Sequence, residues 1–160
     1  MKLTPTRRTD YGLAAMIRLA EDPKRRLNAA EVAEDMRVPQ LFVRNILQNL
    51  QRARLVTSQP GRHGGYALAR PAERISALEV VEALEGPIVP GECSLQGQPC
   101  RWEPVCPRLQ PGLAHEDVCL VYRLWLSVRL ALAEQLEAKT LADLAAQDLA
   151  FERGAGPRTR

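Results

Sequence analysis

The stretch NAAEVAEDMRVPQLFVRNILQNL, residues 28–50, decides the fold. Asn28 followed three positions later by Glu31 has the form of a capping box and predicts a short helix through Met36. Val38-Pro39-Gln40 then reads as a turn. Pro39 suits the first turn of the next helix, where its missing N–H is not needed. That second helix is predicted to run to about Arg54, with Phe42, Val43, Ile46, Leu47 and Leu50 on its buried side. Two helices meeting at a tight turn make a helix-turn-helix.

Working outward, residues 9–21 place Leu13, Met16, Ile17 and Ala20 on one helical face, and the polar, Pro-containing segment Asp22–Arg26 ends that helix. Downstream, Leu55-Val56-Thr57 and Tyr66-Ala67-Leu68 flank a Gly-rich segment, the pattern of a β-hairpin. Ser76 with Glu79 is a second capping box, opening a helix to about Glu85 that Gly86 can end. Residues 86–112 are rich in Pro and Gly and read as a long loop carrying three of the four cysteines. Helical periodicity returns from about Ala114 to Ala138, where Val121, Trp125, Val128 and Leu132 form a seam suited to a partner helix. Thr140 caps a last helix, Leu141–Leu149, and a polar tail begins at Arg153. The predicted fold class is mainly α with a small β-hairpin: a winged helix-turn-helix plus a long dimerisation helix. The predicted division is 1–74 for DNA binding, 75–152 for a cysteine-bearing loop and dimerisation helices, and 153–160 as a flexible tail.

Composition agrees with that class. Hydrophobic residues are 46% of the 160 and aromatics only 4%, so the core must be aliphatic, which suits helices better than a β-sandwich. The net charge of +3 hides an asymmetry: residues 1–74 carry 14 basic and 7 acidic side chains, residues 75–160 carry 8 and 12. A basic front half is expected to meet a polyanion. No apolar run has signal-peptide or membrane-span length, which predicts a soluble cytoplasmic protein with no membrane partner. No nucleophile–base set and no phosphate-binding loop is visible, so an enzyme is not expected.

The helix beginning near Pro39 leaves Gln40, Arg44, Asn45 and Gln48 pointing away from its apolar side. Arg pairs with guanine, and Asn or Gln with adenine, in a major groove about 12 Å wide that admits one helix. In the hairpin, Gly61, Gly64 and Gly65 permit a tight turn near phosphates, and Arg62 and His63 are placed to bind phosphate or enter a minor groove. Gln40, Arg44, Asn45, Gln48, Arg62, His63, Gly64 and Gly65 are the candidate DNA-binding residues. The partner is expected to be a palindromic double-stranded operator bound by a homodimer.

The segments Thr9–Leu13, Glu31–Ala33, Val38–Val43, Leu47–Leu50, Gly61–Tyr66, Ile75–Val81, Leu84–Gly86 and Thr140–Leu144 together resemble the IscR/NsrR/RirA family of bacterial regulators. The resemblance covers nearly the whole chain. It implies a homodimeric winged helix with a long crossing dimerisation helix. In cluster-binding members it also implies an iron–sulfur cluster in the loop before that helix, whose state controls DNA affinity. Some members carry no cluster.

Cys93, Cys100, Cys106 and Cys119 are the candidate ligands, with 6, 5 and 12 residues between neighbours. In a reducing compartment such thiols favour metal or redox chemistry over structural disulfides. Soft thiolates suit iron–sulfur clusters or zinc. The paired short spacing usual in structural zinc sites is absent. By resemblance, Cys93 and Cys100 match the first two of three family cysteines. Cys106 has the local spacing of the third, and Cys119 has its spacing to the closing helix, so either can be the third ligand and the other a fourth. A non-cysteine ligand in related proteins maps to Asp10, whose other reading is a partner for its helix dipole. A histidine three residues past the third cysteine is not met: Leu109 or Tyr122 stands there, and His115 is a distant substitute. The expected cofactor is an iron–sulfur cluster, 4Fe–4S favoured over 2Fe–2S. The alternatives are a cluster-free thiol redox regulator of the same fold and an iron–sulfur DNA-repair enzyme, with which only the Cys93–Cys100 spacing agrees.

Overall fold

The computed structural model describes residues 6–61, 64–88 and 119–152. In chain order the elements are α1 (Arg7–Glu21), α2 (Ala29–Met36), α3 (Gln40–Arg52), β1 (Val56–Gln59), β2 (Gly65–Leu68), a 3-10 turn (Ala72–Arg74), α4 (Ala77–Glu85), α5 (Leu120–Glu137) and α6 (Leu141–Glu152). One compact unit takes in the chain up to Gly86 together with the chain from Leu136; a second spans Pro87–Gln135.

In the first unit α1 is the hub, packing against α3, α4, α6 and β2. Its N-cap is Thr6, whose side chain accepts from the Thr9 amide. Because neighbours approach from several sides, the buried arc is wider than a one-sided stripe. It runs through Gly12, Ala15, Met16, Leu19 and Ala20, while Leu13 and Ile17 are half-buried against the same core. Gly12 is needed where α4 crosses: a Cβ there would stand 2.2 Å from Leu84 Cδ1.

Both capping boxes form. Asn28 accepts from the amides of Ala30 and Glu31 while Glu31 accepts from the Asn28 amide at 2.7 Å. Ser76 and Glu79 reciprocate at the start of α4. The turn between α2 and α3 is made by Arg37 in the left-handed region, φ 55°, with the Val38 amide donating back to the Ala33 carbonyl. Pro39 is the N-cap of α3 rather than its first helical residue. Its ψ is 133°, and its carbonyl accepts from the amides of Phe42 and Val43. The helix stops at Arg52, earlier than the periodicity implies, because Arg54 turns left-handed (φ 60°) and the Leu55 amide closes onto the Leu50 carbonyl.

β1 and β2 pair antiparallel, Val56 with Leu68 through Gln59 with Gly65. Leu27 adds a bridge on the other edge of β2, exchanging both backbone hydrogen bonds with Tyr66. The hairpin is thereby tied to the start of the helix-turn-helix. The core is aliphatic: Met16, Leu19, Val32, Val43, Ile46, Leu47, Leu50, Ile75, Val80 and Leu141 have almost no exposed surface. Each such side chain contributes about 1.5–3 kcal/mol of transfer free energy on burial.

α6 is fastened where the Leu141 amide donates to the Ile75 carbonyl and the Ala77 amide to the Lys139 carbonyl. Thr140 caps it, accepting from the Asp143 amide, while Asp143 accepts from the Thr140 amide in return. α5, which lies in the second unit up to Gln135, buries none of its residues, and Leu120, Val121, Leu124, Leu130 and Leu132 are exposed. The expected helix start at Ala114 and the tail from Arg153 lie outside the described residues.

Candidate nucleic-acid interface and cysteine positions

α3 is held by Val43, Ile46, Leu47 and Leu50, all buried against α1, α2 and α4. Phe42, half-buried, meets Tyr11 of α1 edge to face, with ring centroids 5.6 Å apart. This packing fixes the helix rotation and leaves Gln40, Arg44, Asn45 and Gln48 exposed together on the outer side. The first turn of α3 carries no acidic side chain, so the partial positive charge of its N-terminal amides is not offset locally.

Three further residues belong to this surface. Leu41, 68% exposed, stands among the four polar positions. Arg8 lines a surface hollow of about 420 Å³ with Phe42, Asn45, Ile46 and Asn49, which brings a cation from α1 alongside α3. Asn49 donates to the Asn45 carbonyl and accepts from Arg52. Periodicity could have found Leu41 and Asn49; Arg8 needed the α1–α3 packing.

The hairpin tip is shaped by backbone. Gly65 has φ 148°, and a Cβ on Gly64 would fall 2.1 Å from the Gln59 carbonyl oxygen, so neither position accommodates a side chain without rearrangement. Arg62 and His63 lie outside the described residues.

Cys93, Cys100 and Cys106 also lie outside the described residues. Cys119 is a half-buried free thiol directly before α5, its Sγ accepting from the Tyr122 amide at 3.4 Å. Asp10 is exposed in the first turn of α1. Its neighbour Thr9 is buried, and the hydroxyls of Thr6 and Thr9 both donate to Glu85 Oε1. Those two hydrogen bonds hold the Glu85 carboxyl below its ordinary range. Glu85 is the last residue of α4, so the end of the helix that precedes the cysteine-bearing segment in sequence is latched to the start of α1. Among the described residues no three His, Cys, Asp or Glu side chains converge as a metal site.

Residues 5–147 match the Rrf2 family, described as an iron-dependent transcriptional regulator. The chain belongs to the Rrf2 family. It is 32% identical to the protein rrf2 of Nitratidesulfovibrio vulgaris over 90% of this chain and 87% of that one. It is 30% identical to the HTH-type transcriptional regulator CymR of Bacillus subtilis over 84% of both. Among solved structures, that of CymR, the global cysteine regulator of B. subtilis, superposes with a TM-score of 0.67 at 27% identity, covering 91% of this chain and 98% of the other. T. potens IscR shares the fold, with a TM-score of 0.67 at 23% identity, covering 100% and 96%. As an Rrf2-family member the chain is a DNA-binding transcriptional regulator with a winged helix. Its named relatives are regulators rather than enzymes. No helix among the described residues is long and apolar enough to cross a membrane.

Proposed function

We propose that this Rrf2-family regulator binds a palindromic double-stranded operator as a homodimer, with its DNA affinity set by an iron–sulfur cluster on the cysteine loop. The observation that carries the DNA part is the exposed face of α3, where Gln40, Arg44, Asn45 and Gln48 stand together on a helix locked by four buried aliphatics. Arg44 would read guanine, and Asn45, Gln48 and Gln40 adenine, in the major groove. Gly64 and Gly65 would bring the hairpin backbone against phosphates, with Arg62 and His63 at its tip. Homodimerisation through α5 is supported by its lack of any buried residue and its exposed leucines and valine.

The donor chemistry fits the cluster: four thiols within one loop-to-helix segment, soft ligands in a family described as iron-dependent. Cys93 and Cys100 would ligate, joined by Cys106 or Cys119 or both, and Asp10 remains a candidate where only three thiols serve. When bound, the group would cross-link the loop and offer an iron site reactive toward oxidants or nitric oxide. The chain's own residues supply the connection to DNA. Glu85 ties the loop's departure point to Thr6 and Thr9, and α1 packs on α3. A tenfold change in DNA affinity requires only about 1.4 kcal/mol of coupling.

A second reading, a cluster-free thiol switch, is favoured by the likeness to CymR, which from Staphylococcus aureus has been crystallised in an oxidized form. Iron and sulfide content per protomer of anaerobically purified protein, with mobility-shift titrations of loaded and apo forms, separates the two. Cys93→Ala and Cys100→Ala should each abolish cluster content. If Cys106→Ala and Cys119→Ala both lose it as well, the site is all-cysteine; if one retains it, that residue is structural. Normal iron and sulfide in all four variants, or identical DNA binding by loaded and apo protein, would refute cluster control.

A further inference from the structure

Six large hydrophobic side chains are exposed among the described residues, and five of them lie on α5. The sixth, and the most exposed, is Leu41 at 68%. It is the second residue of α3 and caps nothing. Leu41, Arg44, Asn45 and Gln48 follow the spacing i, i+3, i+4, i+7, a single stripe along one side of a helix. All four are exposed, and the helix is held from the opposite side by Val43, Ile46, Leu47 and Leu50. Exposed leucines are common on protein surfaces and by themselves mean little. Here the position decides: an apolar side chain leads a stripe whose other members are hydrogen-bonding groups, at the helix end that reaches base edges. Among the groups that base pairs present in the major groove, the C5-methyl of thymine is the apolar one.

We propose that Leu41 is a specificity-determining residue that packs its isobutyl group against a thymine C5-methyl, one in each half-site of the operator. The proposal rests on α3 being the base-reading helix, as argued above. Leu41 then fixes thymine at a position next to those read by Arg44 and Asn45. A uracil in that place, which keeps every hydrogen-bonding group and lacks only the methyl, is bound less well.

The test is a two-by-two cycle on the full chain. An operator is first selected from unmethylated random-sequence duplexes, so a methyl read there can only be thymine's. Each thymine of a half-site is then replaced in turn by deoxyuridine, and binding of the wild type and of Leu41→Ala is titrated. Loss of one buried methyl should weaken wild-type binding about fourfold at a single thymine per half-site. Leu41→Ala should bind the thymine and uracil operators alike, and Leu41→Met should restore the preference. Because Leu41 is exposed, circular dichroism and sedimentation should be unchanged in both variants. Wild-type binding that is indifferent to every thymine-to-uracil change overturns the proposal, as does an equal uracil penalty in Leu41→Ala; in either case sequence-specific binding by α3 still stands. If the wild type does not distinguish any selected duplex from scrambled sequence, the base-reading role of α3 and the role of Leu41 fall together.

Discussion

α3 and α5 are both rich in apolar residues and differ in where those residues go. α3 sends Val43, Ile46, Leu47 and Leu50 into the core and shows polar groups outside, apart from Leu41. α5 is longer, buries nothing, and leaves Val121, Leu124 and Leu130 each more than half exposed. Water penalises such surface on both helices equally, at roughly 25 cal/mol per Å². α3 is therefore satisfied within one chain, whereas α5 keeps apolar surface that the proposed dimer would cover. A helix complete in one chain can present a chemical face; in the proposed dimer the other would set the spacing between two such faces.

The comparison breaks first at α5. Val121→Glu combined with Leu132→Glu puts charge on the expected seam. We expect a monomer by sedimentation at micromolar concentration and an operator affinity lower by roughly 10²–10⁴-fold, the avidity of a linked second site. A variant that stays dimeric and binds normally would remove α5 from the interface. The next largest effect belongs to the core side of α3. Leu47→Ala should lower the unfolding free energy by about 2–5 kcal/mol in denaturant titration, through lost transfer energy and a residual cavity. A loss below about 1 kcal/mol, near the bottom of the range for ordinary substitutions, would mean α3 is not locked as described. On the outer side, Arg44→Ala should leave the unfolding midpoint unchanged and weaken specific binding by about 1–3 kcal/mol, relaxing the preference at one base pair per half-site. Arg62→Ala should weaken binding more evenly across sequences and reduce its salt dependence. If both variants bind the operator as the wild type does, the docking of α3 and hairpin is wrong.

The smallest effect concerns the latch between α1 and α4. Thr6 and Thr9 lower the Glu85 pKa, so folding is favoured by the ionised carboxylate. That contribution is complete above the ordinary value of 4.5 and is lost as pH falls through the lower folded value. Glu85→Gln should therefore lower stability modestly at neutrality, flatten the acid limb of the profile, and converge on the wild type as pH falls well below about 4.5. A profile identical to the wild type across that range would show that the latch carries no stability.

The local signals on this chain were legible because each is closed within a few residues. Asn28 with Glu31 and Ser76 with Glu79 need only four consecutive positions to satisfy their amides, and both boxes form where the spacing put them. Gln40, Arg44, Asn45 and Gln48 are exposed because helical periodicity alone separates them from Val43, Ile46, Leu47 and Leu50. What packing decided lies between distant segments. The buried arc of α1 widened to Gly12, Ala15 and Leu19 once α4 and α6 closed on it, and no residue within α1 encodes the arrival of Leu84 or Leu141. Arg8 joined the surface of α3, and Thr9 met Glu85 across 76 positions of chain, through the same convergence. The sequence by itself determined helices, caps, hairpin and the polar face of α3, since those depend on neighbours along the chain. Only the tertiary structure decided how far the core reaches around α1 and which residues of other elements stand beside the exposed polar face of α3, since a contact between distant segments is set by the summed burial of the whole core.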